Sequence, residues 1–487
     1  MIFNSVTYLL FLTLVVGLFW LLPKQPRLWL IFLASATFYG FWRPEFLLIL
    51  LLSSITDYYA AMRIEASEDR TIRRRWLLLS LAVNLGMLCY FKYLFFVVDN
   101  AVTVLSILDM DLKAPVFDIV LPLAISFYTF ETISYVVDVY RKFIPAERSF
   151  VMYACFVTFF PKLVAGPILR AAEILPQFAA NPVFRLDIFV SGLRRILFGI
   201  FLKVVIADNI SPLVDSGFLQ PVSTLSAWDV LTLAFLFGFQ IYFDFSAYSS
   251  IAIGSARLMG IHVPENFNFP YLATSPRDFW HRWHISLSSW IRDYLYIPLQ
   301  GLEVRDRTAS GLSVDFNEKR KGTRYPLIAL FLTWAIMGLW HGASWTFIFW
   351  GLYHASLIAI YRIIAAPVSG LPSWIKTYVG WGITLLVVML GWIPFRAVSV
   401  SDSIAMFAKL ISPGDYLWLG MRENTYLVTA MLLICCILSY LVHLVDEKLS
   451  PRWVWPNFAI QTAIMSIVIG LNFVFLRPIS QFIYFQF

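Results

Sequence analysis

Apolar runs of about 17 to 25 residues recur along the chain, separated by short segments where charge and proline concentrate. Each run is long enough to cross a hydrocarbon core about 30 Å thick as a helix, the form in which one segment satisfies all of its own backbone hydrogen bonds. The pattern predicts early spans at about 6–22, 27–42, 44–60, 76–98 and 119–140, with a polar excursion near Asp109 to Asp118 before the last of these. Less regular runs follow at about 150–168 and 190–210. Further spans are expected at about 228–253, 326–341, 345–365, 378–397, 425–445 and 458–478. The expectation is an all-α integral membrane protein of about 11 to 13 transmembrane helices in one domain, residues 1–487, without internal repeats. Val6 to Leu22 lacks a basic segment before it and continues through Pro23 and Lys24 into more apolar sequence, which reads as a first span rather than a cleaved signal.

Charges that interrupt the pattern carry more information than the runs themselves. Lys162, Arg194, Arg195 and Lys203 fall in the two irregular runs, so those segments are expected to face protein, lie in the interface or snorkel. The segment PRDFWHRWHISLSSWIRDYLYIPL, Pro276 to Leu299, concentrates histidine, arginine and aspartate between prolines. At about 100° per residue, Arg277, His281, His284, Ser288 and Arg292 form one stripe opposite Phe279, Trp283, Leu287, Trp290 and Tyr294, which predicts one amphipathic helix. Ser275 is placed as its N-cap, with Pro276 at the first helical position and Asp278 in the first turn. Such a helix either lies along the interface or is buried with its polar stripe lining a wet cavity, and the paired histidines favour the cavity.

Composition agrees: 60% of residues are apolar and 14% charged, against roughly a quarter charged in soluble proteins. The net charge of +7 does not indicate nucleic acid, because the basic residues occupy short loops. Lys24 and Arg27 lie in one such loop and Arg63, Arg70, Arg73, Arg74 and Arg75 in another, so both are expected on the cytoplasmic side with the amino terminus outside. The loop from Glu303 to Arg324 reads as cytoplasmic on the same ground. The four cysteines lie in apolar runs without metal-type spacing and read as core hydrophobes.

A second stretch, LTWAIMGLWHGASWTFIFWGLYHA, Leu332 to Ala355, ends an apolar run on His341, between Trp340 and Gly342. An ionisable group there is a candidate functional residue, and Gly338 one turn earlier allows close helix packing. Imidazole suits proton removal from a hydroxyl attacking a carbonyl. No Gly-x-Ser-x-Gly elbow occurs. His281 and His284 lack the further ligands of a metal site, and no metal is expected.

Together the two stretches resemble the signature of the membrane-bound O-acyltransferase family, in its bacterial alginate O-acetyltransferase-like branch. The resemblance extends to IYFDFSAYSSIAIG, PENFNFPYLATS and LPLAISFYTFETISYVVDVYR, with a motif core at about 121–360. It implies many helices around a central tunnel, His341 as catalytic base and His284 as a second active-site group that orients a substrate or polarises the thioester carbonyl. Asp244, Ser288, Trp340 and Asn266 become candidate tunnel or substrate contacts, Arg292 and Asp293 a structural ion pair, and His354 a packing residue. His281 stands where relatives usually carry arginine, and the sequence after Leu299 departs from the family pattern. The resemblance further implies acetyl-CoA as acyl donor without a bound cofactor, a bacterial inner-membrane location, an outward-facing acetyltransferase partner of the SGNH type, and an exopolysaccharide or peptidoglycan as final acceptor. A flippase-like tunnel protein, or a scaffold for a separate acetyltransferase, is the alternative reading.

Overall fold

The structure, a computed structural model, describes residues 1–110, 119–164, 166–180, 182–301, 304–308, 311–314, 326–448, 458–475 and 482. The excursion expected to end at Asp118 and most of the basic loop before Arg324 therefore lie outside the described residues. Helices α1 (Val6–Leu21), α2 (Lys24–Gly40) and α3 (Phe46–Glu65) run back and forth, and α4 (Arg70–Leu88) continues through a π-helical segment, Cys89–Tyr93, into α5 (Leu94–Ile107). Next come α6 (Ile125–Tyr140), three short helices α7 (Phe150–Thr158), α8 (Phe160–Leu163) and α9 (Ala171–Ala179), and α10 (Leu186–Phe201), which a second π-helical segment, Leu202–Ala207, joins to α11 (Asp208–Phe218). The 32-residue α12 (Ala227–Leu258) forms the core. Beyond it lie α13 (Pro276–Arg282), α14 (Ile285–Ile291), a π-helical Arg292–Tyr296 and α15 (Ile297–Leu299). The chain continues with α16 (Pro326–His341), α17 (Trp345–Ser369), α18 (Gly380–Leu390), α19 (Trp392–Arg396), α20 (Val400–Leu410), α21 (Glu423–Lys448) and α22 (Phe458–Val474).

Among the described residues, seven helical stretches are long and apolar enough to cross a membrane, and three shorter apolar helices accompany them. This is an all-helical, multi-pass membrane protein, apart from a small antiparallel hairpin in the polar loop, Val304–Thr308 paired with Gly311–Val314. Helix starts follow local chemistry: Ser5 accepts from the Tyr8 N–H, and Ser226 and Asp229 form a capping box at the head of α12. α10 and α12 cross closely because Gly192 and Gly254 face each other, where an added Cβ would come within 3.0 Å of the opposite backbone oxygen.

The basic segments gather at one face. There Lys142 pairs with Glu68 at 2.9 Å, Arg148 with Glu65 at 2.6 Å, and the Arg27 Nη1 donates to Pro182 O at 3.2 Å.

Two expectations change. The run at 150–168 is not a through-going span. Its start, at Arg148, and the end of the following helix, at Pro182, both belong to the basic face, while its apex meets the middle of α2 through Phe160 N–H to Ser35 Oγ at 3.1 Å. The segment is a re-entrant hairpin that turns where Phe159 leaves the helical conformation, at ψ 105°, and Pro161 opens α8. Lys162, 2% exposed, faces protein there and pairs with Glu131.

The expected single amphipathic helix is also broken. Ser275 caps it as predicted, accepting from Asp278 N–H at 3.1 Å, but α13 stops at Arg282, Trp283 is extended, and His284 turns left-handed at φ +40°. The irregular segment 266–268 takes over the backbone groups the helix would have used: Asn268 N–H donates to Arg282 O and Ile285 N–H donates to Asn266 O, both at 2.9 Å.

Candidate active site

The break carries His284 off the polar stripe and into the interior, where it is fully buried. Arg277, His281, Ser288 and Arg292 stay together and line a cavity of about 250 Å³ with Arg362, Trp334 and Met337. The predicted stripe thus holds for four of its five members.

His284 is held by Asn266, itself fully buried. Asn266 Oδ1 accepts from the Ser286 N–H at 3.3 Å and Ser286 Oγ at 2.9 Å, and Nδ1 of His284 lies 3.1 Å away. Because the backbone N–H can only donate, Oδ1 is fixed as the acceptor, and the neutral imidazole carries its proton on Nδ1. Nε2 then presents a lone pair and has no hydrogen-bond partner among the described residues. Of the two roles offered from the sequence, orienting a group or polarising a carbonyl, this tautomer suits the first, because Nε2 has no N–H to donate and can only accept.

His341 ends α16 and is 4% exposed. The turn to α17 is tight: a Cβ on Gly338 would fall 2.2 Å from Phe347 O. Trp340 stands between the imidazoles, its ring centroid 5.0 Å from that of His341 and 6.2 Å from that of His284. Trp350 and Phe395 enclose His341 from the other side at 5.0 and 5.2 Å. A helix ending in the interior leaves carbonyls without intrahelical partners. Here Tyr93 Oη donates to Leu339 O at 2.9 Å, and Lys92 Nζ donates to Trp340 O at 2.6 Å and His341 O at 3.1 Å.

Trp340, His341, Lys92 and Ser126 form the inner end of a second cavity, about 660 Å³, whose walls include Ile2, Ser5, Phe41, Trp42 and Leu121. The two cavities share no lining residue and follow one another along the same face of α16. Met337 lines one and Trp340 the other, a separation of about 4.5 Å in helix rise.

The remaining candidates sort by position. Asp244 lines neither cavity; it pairs with Lys203 at 2.7 Å, and Lys203 also holds Asp208 at 2.8 Å, an ion cluster tying α12 to the π-helical segment after α10. Arg292 and Asp293 form the expected ion pair at 2.7 Å, and Asp293 also meets Arg170 at 3.4 Å. His354 packs among Trp280, Trp334 and Trp350, and neither ring nitrogen has a hydrogen-bond partner among the described residues. Among the described residues, no three His, Cys, Asp or Glu side chains gather as metal ligands.

Lys92 and Glu131 were not singled out from the sequence. Lys92 is the one charge between Arg75 and Asp99, and a lone cation in an apolar run was the available signal.

Fold and site together define a polytopic membrane protein with buried imidazoles in its core, one of which, His341, lines a cavity that is followed by a second along α16. The profile of the membrane-bound O-acyltransferase family matches residues 30–395. The chain is 40% identical over 446 residues to the probable alginate O-acetylase AlgI of Azotobacter vinelandii, covering 91% of this chain and 84% of that protein. It is 35% identical to the peptidoglycan O-acetyltransferase of Helicobacter pylori, covering 80% and 74% respectively. The teichoic acid D-alanyltransferase of Bacillus subtilis is 29% identical over 61% of this chain and 68% of its own length. The chain belongs to the membrane-bound O-acyltransferase family. It is an O-acyltransferase embedded in the membrane.

Proposed function

We propose that the protein moves an acetyl group from a cytoplasmic thioester to an outward-facing hydroxyl for O-acetylation of an extracytoplasmic polysaccharide, with His341 as general base. The observation that carries this reading is the position of His341, at the inner end of the larger cavity and one helical turn along α16 from the lining of a second cavity. The positive-inside rule, applied to the basic loops, supports a cytoplasmic mouth for the 250 Å³ cavity. Its guanidinium groups, Arg277, Arg292 and Arg362, suit a donor that carries phosphate, as acetyl-CoA does.

In this scheme the acceptor hydroxyl enters from the 660 Å³ cavity and its oxygen attacks the thioester carbonyl carbon. The imidazole of His341 takes the hydroxyl proton as the new C–O bond forms. Collapse of the tetrahedral intermediate breaks the C–S bond, and the same proton passes to the departing thiolate. His284, with its lone pair on Nε2, orients a proton-bearing partner rather than polarising the carbonyl. Support for acetyl as the group and a glycan as the final acceptor comes from the names of the alginate and peptidoglycan relatives. An outward-facing SGNH-type partner would complete delivery, in the bacterial inner membrane.

Purified protein in liposomes, supplied with radiolabelled acetyl-CoA and with an added glycan or water as the hydroxyl acceptor, tests the reading. Wild type is expected to release free thiol and His341→Ala to fall by at least about 10²-fold, the usual contribution of a general base. A folded His341→Ala protein that keeps its rate would remove His341 from the chemistry.

A further inference from the structure

Lys92 is half-buried in a membrane-spanning helix, and among the described residues no carboxylate lies within ion-pair distance of it. The other buried lysines of the core, Lys162 and Lys203, are both ion-paired. A lysine at membrane depth without such a partner is expensive, and such residues mark functional sites. It sits in the π-helical segment Cys89–Tyr93, a distortion that re-aims side chains and recurs at functional sites. Its ammonium donates to the carbonyl oxygens of Trp340 and His341, with Ser126 Oγ 3.5 Å away, and it lines the same cavity as the His341 ring.

We infer that Lys92 is a positioning residue for the acyl transfer proposed above: it fixes the last turn of α16, and with it the His341 imidazole, while its positive charge favours the negative charge that grows on the thioester oxygen during attack. The backbone contacts fix where the imidazole sits. The charge acts through space, in a cavity whose described walls bear no carboxylate. No proton is gained or lost by Lys92 in this role.

The inference rests on the acyl-transfer reading, so wild type and His341→Ala are assayed beside the lysine variants. Lys92→Ala is expected to lower kcat for acetyl release by about 10²-fold, the scale of one electrostatic contact to a developing oxyanion, with KM for the donor within threefold of wild type. Ethylammonium added to Lys92→Ala should restore part of the rate, and ethanol at the same concentration should not. Lys92→Gln, a neutral residue that keeps an N–H donor, should lose rate similarly and carries the test if the alanine variant does not fold. Wild-type kcat in either folded variant, equal rescue by ethanol, or a loss expressed in donor KM would each overturn the role of Lys92. A wild type that releases no thiol would instead refute the acyl-transfer reading itself.

Discussion

Asn266 decides what His284 can do. One side-chain oxygen gathers the Ser286 N–H, the Ser286 hydroxyl and Nδ1 of His284, which leaves Nε2 as the only free corner of that ring. Asn266→Ala removes the shared acceptor and strands these donors in a dry interior, which should destabilise the protein by about 1–3 kcal/mol and lower acetyl transfer at least tenfold. Thermal unfolding in detergent and the thiol-release assay read the two effects separately. At this scale the sequence was a partial guide. His341 and the Arg292–Asp293 pair lie where residue type and neighbours placed them, because both depend on local context. Asn266 entered only as a tunnel candidate, since its bonds reach 18 and 20 residues along the chain and no periodicity encodes them. Asp244 looked like a wall residue of the tunnel because its ion partner, Lys203, lies 41 positions earlier on another element.

Among helices, the informative elements are the irregular ones. Three of the π-helical segments place charge: Cys89–Tyr93 brings Lys92 and Leu202–Ala207 brings Lys203 inward, and Arg292–Tyr296 buries Asp293 beside the exposed Arg292. An extra residue in one turn widens the helix and rotates the side chain away from the regular face, which lets a continuous span aim one charge inward. For Lys203 the partners are two carboxylates, and removing the cation leaves Asp244 in the core without its counter-charge. Lys203→Met should therefore destabilise by about 3–5 kcal/mol, and adding Asp244→Leu should recover much of that loss, measured as the shift in unfolding temperature. Most spans could be read from hydropathy because length and apolarity alone specify them. The hairpin from α7 to α9 could not, since an apolar run that returns to its own face has the same composition as one that crosses. The break at Trp283 escaped for a related reason: the wheel assumes one unbroken helix, and the interruption comes from a distant irregular segment.

Among the described residues, two cavities follow one another along α16 where a central tunnel was expected. If water fills both, the insulating layer of the bilayer narrows there from about 30 Å to little more than one helical turn. The transmembrane voltage, worth about 2.3 kcal/mol per unit charge per 100 mV, would then fall mostly across the few residues between Met337 and His341 rather than evenly through the lipid. Any charge displaced between thiolate and imidazole during the reaction would move through much of that potential, so acetyl transfer in liposomes should change rate when a potassium diffusion potential is imposed and reverse its response with the sign. A rate indifferent to voltage would mean the barrier is electrically thick. The thin septum would make this enzyme responsive to the energised state of the membrane it occupies.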